Sequence, residues 1–206
     1  MILTIFDFDD TLFPTTVLSE KIFEGRAVDR LLDQETLAQL KRVSESISSL
    51  LEEAKKWSTH VLIVTSANRS WLKLCDKYLN CLGNARIVSC QDFDLPGPNH
   101  DWKKIVFCGI AELLLKGGDT LVAFGDRKDD RDACFEVMKK FPSINIKSIL
   151  LDKEPSLEKL LEEHQVVETF LPTISTYRGK LDWMLIGNPV KVRNVFGQVD
   201  DTLRGK

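Results

Sequence analysis

The sequence contains no apolar run near the roughly 20 residues of a membrane-spanning helix. Nor does it contain a dense lysine and arginine block of the kind that marks a nucleic-acid surface. Its five cysteines (Cys75, Cys81, Cys90, Cys108 and Cys134) are odd in number and form no C-x-x-C pair. They read as reduced thiols in core or helix positions, which implies a cytoplasmic, reducing compartment. None is followed six positions on by arginine, which excludes a thiol nucleophile in a C-x5-R phosphate loop. The three histidines, His60, His100 and His164, have no metal-ligand spacing and receive no role. The opening Met-Ile-Leu-Thr-Ile-Phe runs straight into carboxylates and is too short for a signal peptide.

What is present suits one α/β domain, or one with a modest extension: 206 residues, 43% apolar, formal net charge -3. Short apolar runs alternate with longer helical periods. Met1 to Phe6 is apolar apart from Thr4 and stops at Asp7. Leu37, Leu40, Val43, Ile47, Leu50, Leu51 and Ala54 step by threes and fours, the period of a helix from about Gln34 to Trp57. A strand at Val61–Val64 ends on Thr65-Ser66, and a helix from about Ser70 to Leu82 stops at Gly83. Ala85–Val88 is a third strand, Pro96-Gly97-Pro98 sits in a loop, and Asp101–Lys116 is a helix ended by Gly117-Gly118. Thr120–Phe124 closes on Gly125-Asp126; a helix from about Asp129 to Phe141 and a strand at Ile144–Leu151 follow. Ser156 can cap a last helix, which runs to Phe170.

Apolar strands alternating with helices predict an α/β fold with a doubly wound, mainly parallel sheet covered on both faces. In such sheets the ligand lies beyond the carboxyl ends of the strands. Asp7, Thr65 and Asp126 stand at three such ends, so distant parts of the chain are expected to meet in one crevice.

The residue types there match the needs of phosphomonoester cleavage. A carboxylate can attack phosphorus and form an aspartyl phosphate. Asp7 is placed to do this, and Asp9, two residues on, can serve as general acid and base. Mg²⁺ would offset the crowding of carboxylates and phosphate. Asp126 supplies a further carboxylate, and Asp130, one helical turn on, can hold the metal's waters. A hydroxyl from Thr65 and an ammonium from Lys103 or Lys104 would complete the phosphoryl cradle.

Four segments resemble, in order, the motifs of the haloacid dehalogenase (HAD) superfamily. Asp7-Phe8-Asp9-Asp10-Thr11 matches D-x-D-x-T/V after the first strand, and Val61–Thr65 matches the strand ending in Thr or Ser. Trp102-Lys103-Lys104 matches the later helical lysine, and Val122 to Asp130 matches an apolar strand followed by G-D-x-x-x-D. The resemblance covers about residues 1 to 150 and implies a HAD-like, Rossmann-type fold with a Mg²⁺ cofactor. It implies Asp7 as nucleophile and metal ligand. Asp9 would be the acid/base, with its backbone carbonyl also on the metal. Thr65 would be the phosphate-binding hydroxyl, with Ser66 the neighbouring alternative. Asp126 would be a direct metal ligand and Asp130 an outer one. Lys103 is preferred to Lys104 because it follows Trp102 and precedes Phe107 by four residues. Asp rather than Ala or Thr at position 9 favours a phosphatase over the family's phosphonatase and ATPase branches.

Asp7 and Thr65 are about 58 positions apart, Thr65 and Lys103 about 38, and the elements already assigned use up both gaps. No large cap domain fits. Uncapped members of the family act on macromolecules or borrow a lid from another subunit. The implied partner is therefore a phosphorylated protein or peptide, of phosphotyrosine type, with Phe13 to Phe23 as a small flap. A small-molecule phosphatase lidded by another subunit is the alternative, as is a non-catalytic phospho-receiver or binding module. Arg69, Arg127, Lys128, Asp129 and Asp132 read as surface charge. The expected organisation is a catalytic core at 1–152 and a helical extension at 153–206. The final Gly205-Lys206 carries no stop signal, so a further domain could follow it. Tyr177 to Met184, mixing basic and aromatic residues, reads mainly as packing.

Overall fold

The computed structural model describes residues 1–27, 32–83, 85–187 and 191–194. Seven strands form one sheet: β1 (Ile2–Phe6), β2 (His60–Thr65), β3 (Arg86–Ser89), β4 (Thr120–Gly125), β5 (Asn145–Leu150), β6 (Leu181–Ile186) and β7 (Lys191–Asn194). Their order is β3-β2-β1-β4-β5-β6-β7, and all neighbours run parallel except β6 and β7. The chain winds outward from β1 through β2 to β3, then returns to β4 on the other side of β1. That reversal opens a crevice at the carboxyl ends of β1 and β4.

The helices are α1 (Thr15–Ala27), α2 (Gln34–Trp57), α3 (Arg69–Leu79), α4 (Asn99–Leu114), α5 (Lys128–Lys140) and α6 (Leu157–Thr176). Alternate strand residues feed two cores. Leu3, Ile5, Leu62, Val64, Leu121, Ala123 and Ile146 pack with α4 and α5 residues such as Phe107, Ala111 and Val137. Phe6, Ile63, Val122, Phe124 and Ile149 pack on the other side with α2, α3 and α6. Each fully buried side chain of this size contributes about 1.5–3 kcal/mol. Phe6 pairs in register with Phe124, and their rings stack at 4.8 Å. That contact fixes how β1 and β4 align, and therefore how Asp7 stands relative to Asp126.

The long helix α2 forms over the span that its period predicts. Asp33 caps it, accepting from the Thr36 backbone N–H at 2.7 Å, and its buried stripe is Leu40, Val43, Ile47, Leu50, Leu51 and Ala54. Ser156 caps α6 as expected, accepting from the Lys159 N–H at 3.2 Å. The helix, however, runs past Phe170 to Thr176 and includes Pro172. Its last carbonyls are received by the ammonium of fully buried Lys147 on β5, which donates to Ile174 O and, at 2.8 Å, to Tyr177 O. A cation there favours a helix C-terminus.

The extension at 153–206 is not purely helical, because β6 and β7 add two strands to the same sheet. Asp182 on β6 is buried against Arg131 of α5, with N···O 2.6 Å, and Trp183 packs edge-on to Phe170. Gly205-Lys206 lies outside the described residues. Among the described residues, no helix is long and apolar enough to cross a membrane.

Candidate active site

The turn after β1 sets the geometry. The Asp7 N–H donates to Phe124 O of β4 at 2.9 Å, which carries the pairing of the two strands one residue beyond β1. The chain then folds back: Leu12 N and Phe13 N both donate to Phe8 O, at 3.0 and 2.9 Å. Phe8 and Phe13 stack in the core at 5.6 Å. Asp10 adopts a left-handed φ of 53°, open to Asp at modest cost. Its carboxylate accepts from Thr16 N at 2.9 Å and Thr16 Oγ1 at 2.7 Å, within the first turn of α1. The last of the three acids Asp7, Asp9 and Asp10 thus caps a helix, while Asp7 and Asp9 face the crevice.

Beneath the crevice, carboxylate oxygens of Asp7, Asp126 and Asp130 lie within 4.8 Å of one another, all buried. Lys103 reaches in from α4 and bridges two of them. Its Nζ stands 2.8 Å from Asp7 Oδ1 and 2.6 Å from Asp130 Oδ1. Thr11 Oγ1 donates to Asp126 Oδ1 at 3.4 Å. Among the described residues, Asp126 Oδ2 and Asp130 Oδ2 are buried without a hydrogen-bond partner, although Arg127 Nε lies 3.7 Å from the former. Gly125 makes room for this arrangement. A Cβ there would fall 2.5 Å from Asp130 Cβ and Oδ2.

Three carboxylates against one ammonium leave a negative, desolvated cluster. Burial pushes Asp7 up from its ordinary 3.8 to about 7, partly opposed by Lys103 and reinforced by Asp130. Burial and the charge of Asp7 likewise lift Asp126 to about 7. Asp130 is raised by burial, against the pull of Lys103. Burial works against the charge of Lys103, but Asp130 and Asp7 outweigh it and hold the ammonium firmly protonated. Two orphaned carboxylate oxygens, an all-oxygen donor set and uncompensated negative charge together suit a hard divalent cation. Asp7, Asp126 and Asp130 are the residues that could hold it.

Asp9 lies apart from this cluster. Its Oδ1 accepts from Thr15 Oγ1 at 2.6 Å and from the Trp71 indole Nε1 at 2.9 Å. Thr65 Oγ1 donates to its Oδ2 at 3.4 Å and accepts from Ala67 N at 2.9 Å. A crevice of about 440 Å³ joins Asp7 and Lys103 to Asp9; its walls also include Ser66, Trp71 and Phe23.

Asp7, Asp9, Thr65, Lys103, Asp126 and Asp130 therefore converge. Lys104 does not: it lies away from the cluster and pairs with Asp101 at 2.8 Å. Asp130, expected in an outer position, stands among the inner carboxylates, whereas the Asp9 carboxylate, named with the metal ligands for its backbone carbonyl, is engaged elsewhere. Arg69 binds Asp92 at 2.5 Å and the Ile87 carbonyl at 3.1 Å, a structural role on the sheet edge. Asp129, read as solvated, lines the crevice.

His164, given no role from sequence, is buried under the Asp7–Phe13 turn. Its Nε2–H donates to Thr11 O at 2.9 Å, so in the neutral ring Nδ1 accepts from Ser46 Oγ at 2.7 Å. Burial holds its pKa down near 4. Trp71, Thr15 and Thr11 were also missed. Each is an ordinary helix or turn residue by sequence, and only the fold brings it to a carboxylate.

No protein-family model matches the chain, and no curated protein does. Among solved structures, the chain is similar to the HAD domain of effector protein Lem4 from Legionella pneumophila, at 17% identity and a TM-score of 0.48. The match covers 84% of this chain and 97% of that one. An inactive mutant of the same domain matches at 17% identity and a TM-score of 0.45, over 84% and 95%.

Proposed function

We propose that the protein is a magnesium-dependent phosphomonoester hydrolase that works through an aspartyl phosphate on Asp7. The observation carrying this reading is the gathering of Asp7, Asp126 and Asp130 around buried Lys103, with Asp9 held separately across the same crevice. The four motifs of the sequence agree with it. Bound to the carboxylate oxygens, Mg²⁺ would supply charge neutralisation for the phosphoryl group.

The chain's own residues account for the rest. Asp7, fixed by its bond to Phe124 O, attacks phosphorus in line with the leaving oxygen. Lys103 holds Asp7 and Asp130 in place and offers its ammonium to the phosphoryl oxygens. Thr65 turns its hydroxyl to the same oxygens. Asp9 protonates the leaving oxygen, then takes a proton from the water that hydrolyses the aspartyl phosphate. Burial of Asp7, Lys103 and Thr65 strengthens the interactions that these three make.

The substrate we propose is a phosphoprotein, with phosphotyrosine preferred. Between β1 and β2 the described residues supply only α1 and α2, and between β2 and α4 only α3, β3 and a short turn at Cys90–Asp92. The crevice therefore opens to solvent along an aromatic wall, where Phe23 stacks on Trp71 at 5.0 Å. The test is phosphate release from p-nitrophenyl phosphate and from phosphotyrosine, phosphoserine and sugar phosphates, with Mg²⁺ and with chelator. Turnover that needs Mg²⁺ and disappears in Asp7→Asn supports the reading. Full turnover in that variant refutes the mechanism, and preference for a sugar phosphate refutes the substrate class.

A further inference from the structure

The carboxylate assigned to acid/base work is held by a residue from another element. Asn68 caps α3, its side chain accepting from the Trp71 backbone N–H at 2.8 Å. That bond places Trp71 in the first turn of the helix, at the rim of the crevice. Its half-buried ring is gripped from two sides, by Phe23 stacked at 5.0 Å and by Phe13 edge-on at 6.0 Å. So held, its indole N–H donates to Asp9 Oδ1 at 2.9 Å, and Thr15 Oγ1 donates to the same oxygen at 2.6 Å. Among the described residues, the other oxygen, Oδ2, receives only the longer bond from Thr65.

A carboxyl oxygen has about two lone-pair sites. The indole N–H can only donate, so with it on Oδ1 and Thr15 donating beside it, a proton on Asp9 is favoured on Oδ2. We infer that Trp71 is a positioning residue for catalysis. Together with Thr15, it assigns the proton of Asp9 to Oδ2 and fixes the plane of the carboxyl group. This rests on the phosphomonoesterase reading of the site.

In the first step the Oδ2 proton moves to the leaving oxygen as its bond to phosphorus breaks and the bond from Asp7 forms. In the second, Asp9 recovers a proton from water as the water oxygen binds phosphorus and Asp7 is released. One water is consumed, and Trp71 transfers no proton. Without the indole N–H, Oδ1 regains a free lone pair and the carboxyl group can turn, so the proton is often carried on the wrong oxygen. The loss should therefore scale with how much the leaving group needs a proton. It is large for an alkyl phosphate, which leaves as a basic alkoxide, and small for p-nitrophenyl phosphate.

The experiment compares kcat on these two substrates for the full chain and for Trp71→Phe, which keeps a ring beside Phe23 but removes the N–H. The expected result is a loss of about tenfold or more on the alkyl phosphate, a part of what a general acid supplies. On p-nitrophenyl phosphate the expected loss is below about threefold, with KM little changed on either. Thr15→Val removes the second donor and should show the same leaving-group bias, which keeps the inference testable if Trp71→Phe folds poorly. In an Asp9→Asn background, Trp71→Phe should cost nothing further on the alkyl phosphate. Equal losses on both substrates, or an undiminished loss without Asp9, would reduce Trp71 to packing and overturn the inference. If the unmodified chain hydrolyses neither substrate, the reading of the site fails and the inference falls with it.

Discussion

Asp126 is expected to act against folding when no cation is bound, and Asp126→Asn should reveal it. A carboxyl whose folded pKa rises from 3.8 to about 7 binds its proton more tightly in the folded state. Its contribution is therefore favourable at low pH and is lost as pH rises from about 4 through 7. Above pH 7 the penalty is on the order of 4 kcal/mol, at about 1.4 kcal/mol per pKa unit. The amide keeps the shape and can still accept from Thr11, but its own burial costs about 1–3 kcal/mol. The net expectation at pH 8 is a gain of about 1–3 kcal/mol, or roughly 2–12 °C in melting temperature for a chain of this size. Near pH 4 the gain should vanish or reverse. Thermal melts in chelator at pH 4, 6 and 8 measure this directly. Adding Mg²⁺ at about 100 times its dissociation constant should then stabilise the parent by about 2.7 kcal/mol and the variant far less. A variant destabilised equally at every pH, or stabilised by Mg²⁺ as much as the parent, would refute the electrostatic account.

Lys103→Met leaves Asp7 and Asp130 buried without their counter-ion and should cost about 3–5 kcal/mol, measured by denaturant unfolding. Lys104→Met, whose partner Asp101 is itself partly exposed, should leave the unfolding midpoint where it is. Gly125→Ala drives a methyl group into Asp130; displacing that carboxylate from Lys103 should lower kcat by about a hundredfold with p-nitrophenyl phosphate. A crystal structure of the variant with Asp130 unmoved would contradict the steric explanation.

The sheet and the meeting of Asp7, Thr65 and Asp126 were legible in the sequence because they follow from strand ends and winding order. The long helix α2 was legible because its apolar stripe keeps an unbroken period. The helix α1 was not. Val17, Leu18, Ile22 and Phe23 form a ragged pattern after Pro14, and the segment reads only as a flap. Its start depends on Asp10, whose capping role is hidden beside Asp7 and Asp9, the two acids with chemical roles. The end expected for α6 at Phe170 is likewise overrun: the helix passes through Pro172 and is closed by Lys147 from the sheet. The strand β6 was obscured by its own composition. Leu181-Asp182-Trp183 places a carboxylate in the core, which is tolerable only because Arg131, fifty-one positions earlier, meets it. The contacts of Trp71 and His164 are long-range in the same way, and no local pattern announces them.

The central claim, that Asp7 is the nucleophile, is tested most directly in Asp9→Asn. Removing the base slows hydrolysis of the intermediate, while an aryl phosphate with a good leaving group can still phosphorylate the enzyme. Acid quenching during turnover of labelled p-nitrophenyl phosphate with Mg²⁺, followed by peptide mapping, should find the label on the peptide carrying Asp7. Hydroxylamine should release it, as expected of an acyl phosphate. Label on a different residue, or steady release of labelled phosphate with none bound to protein at any time, would contradict the account.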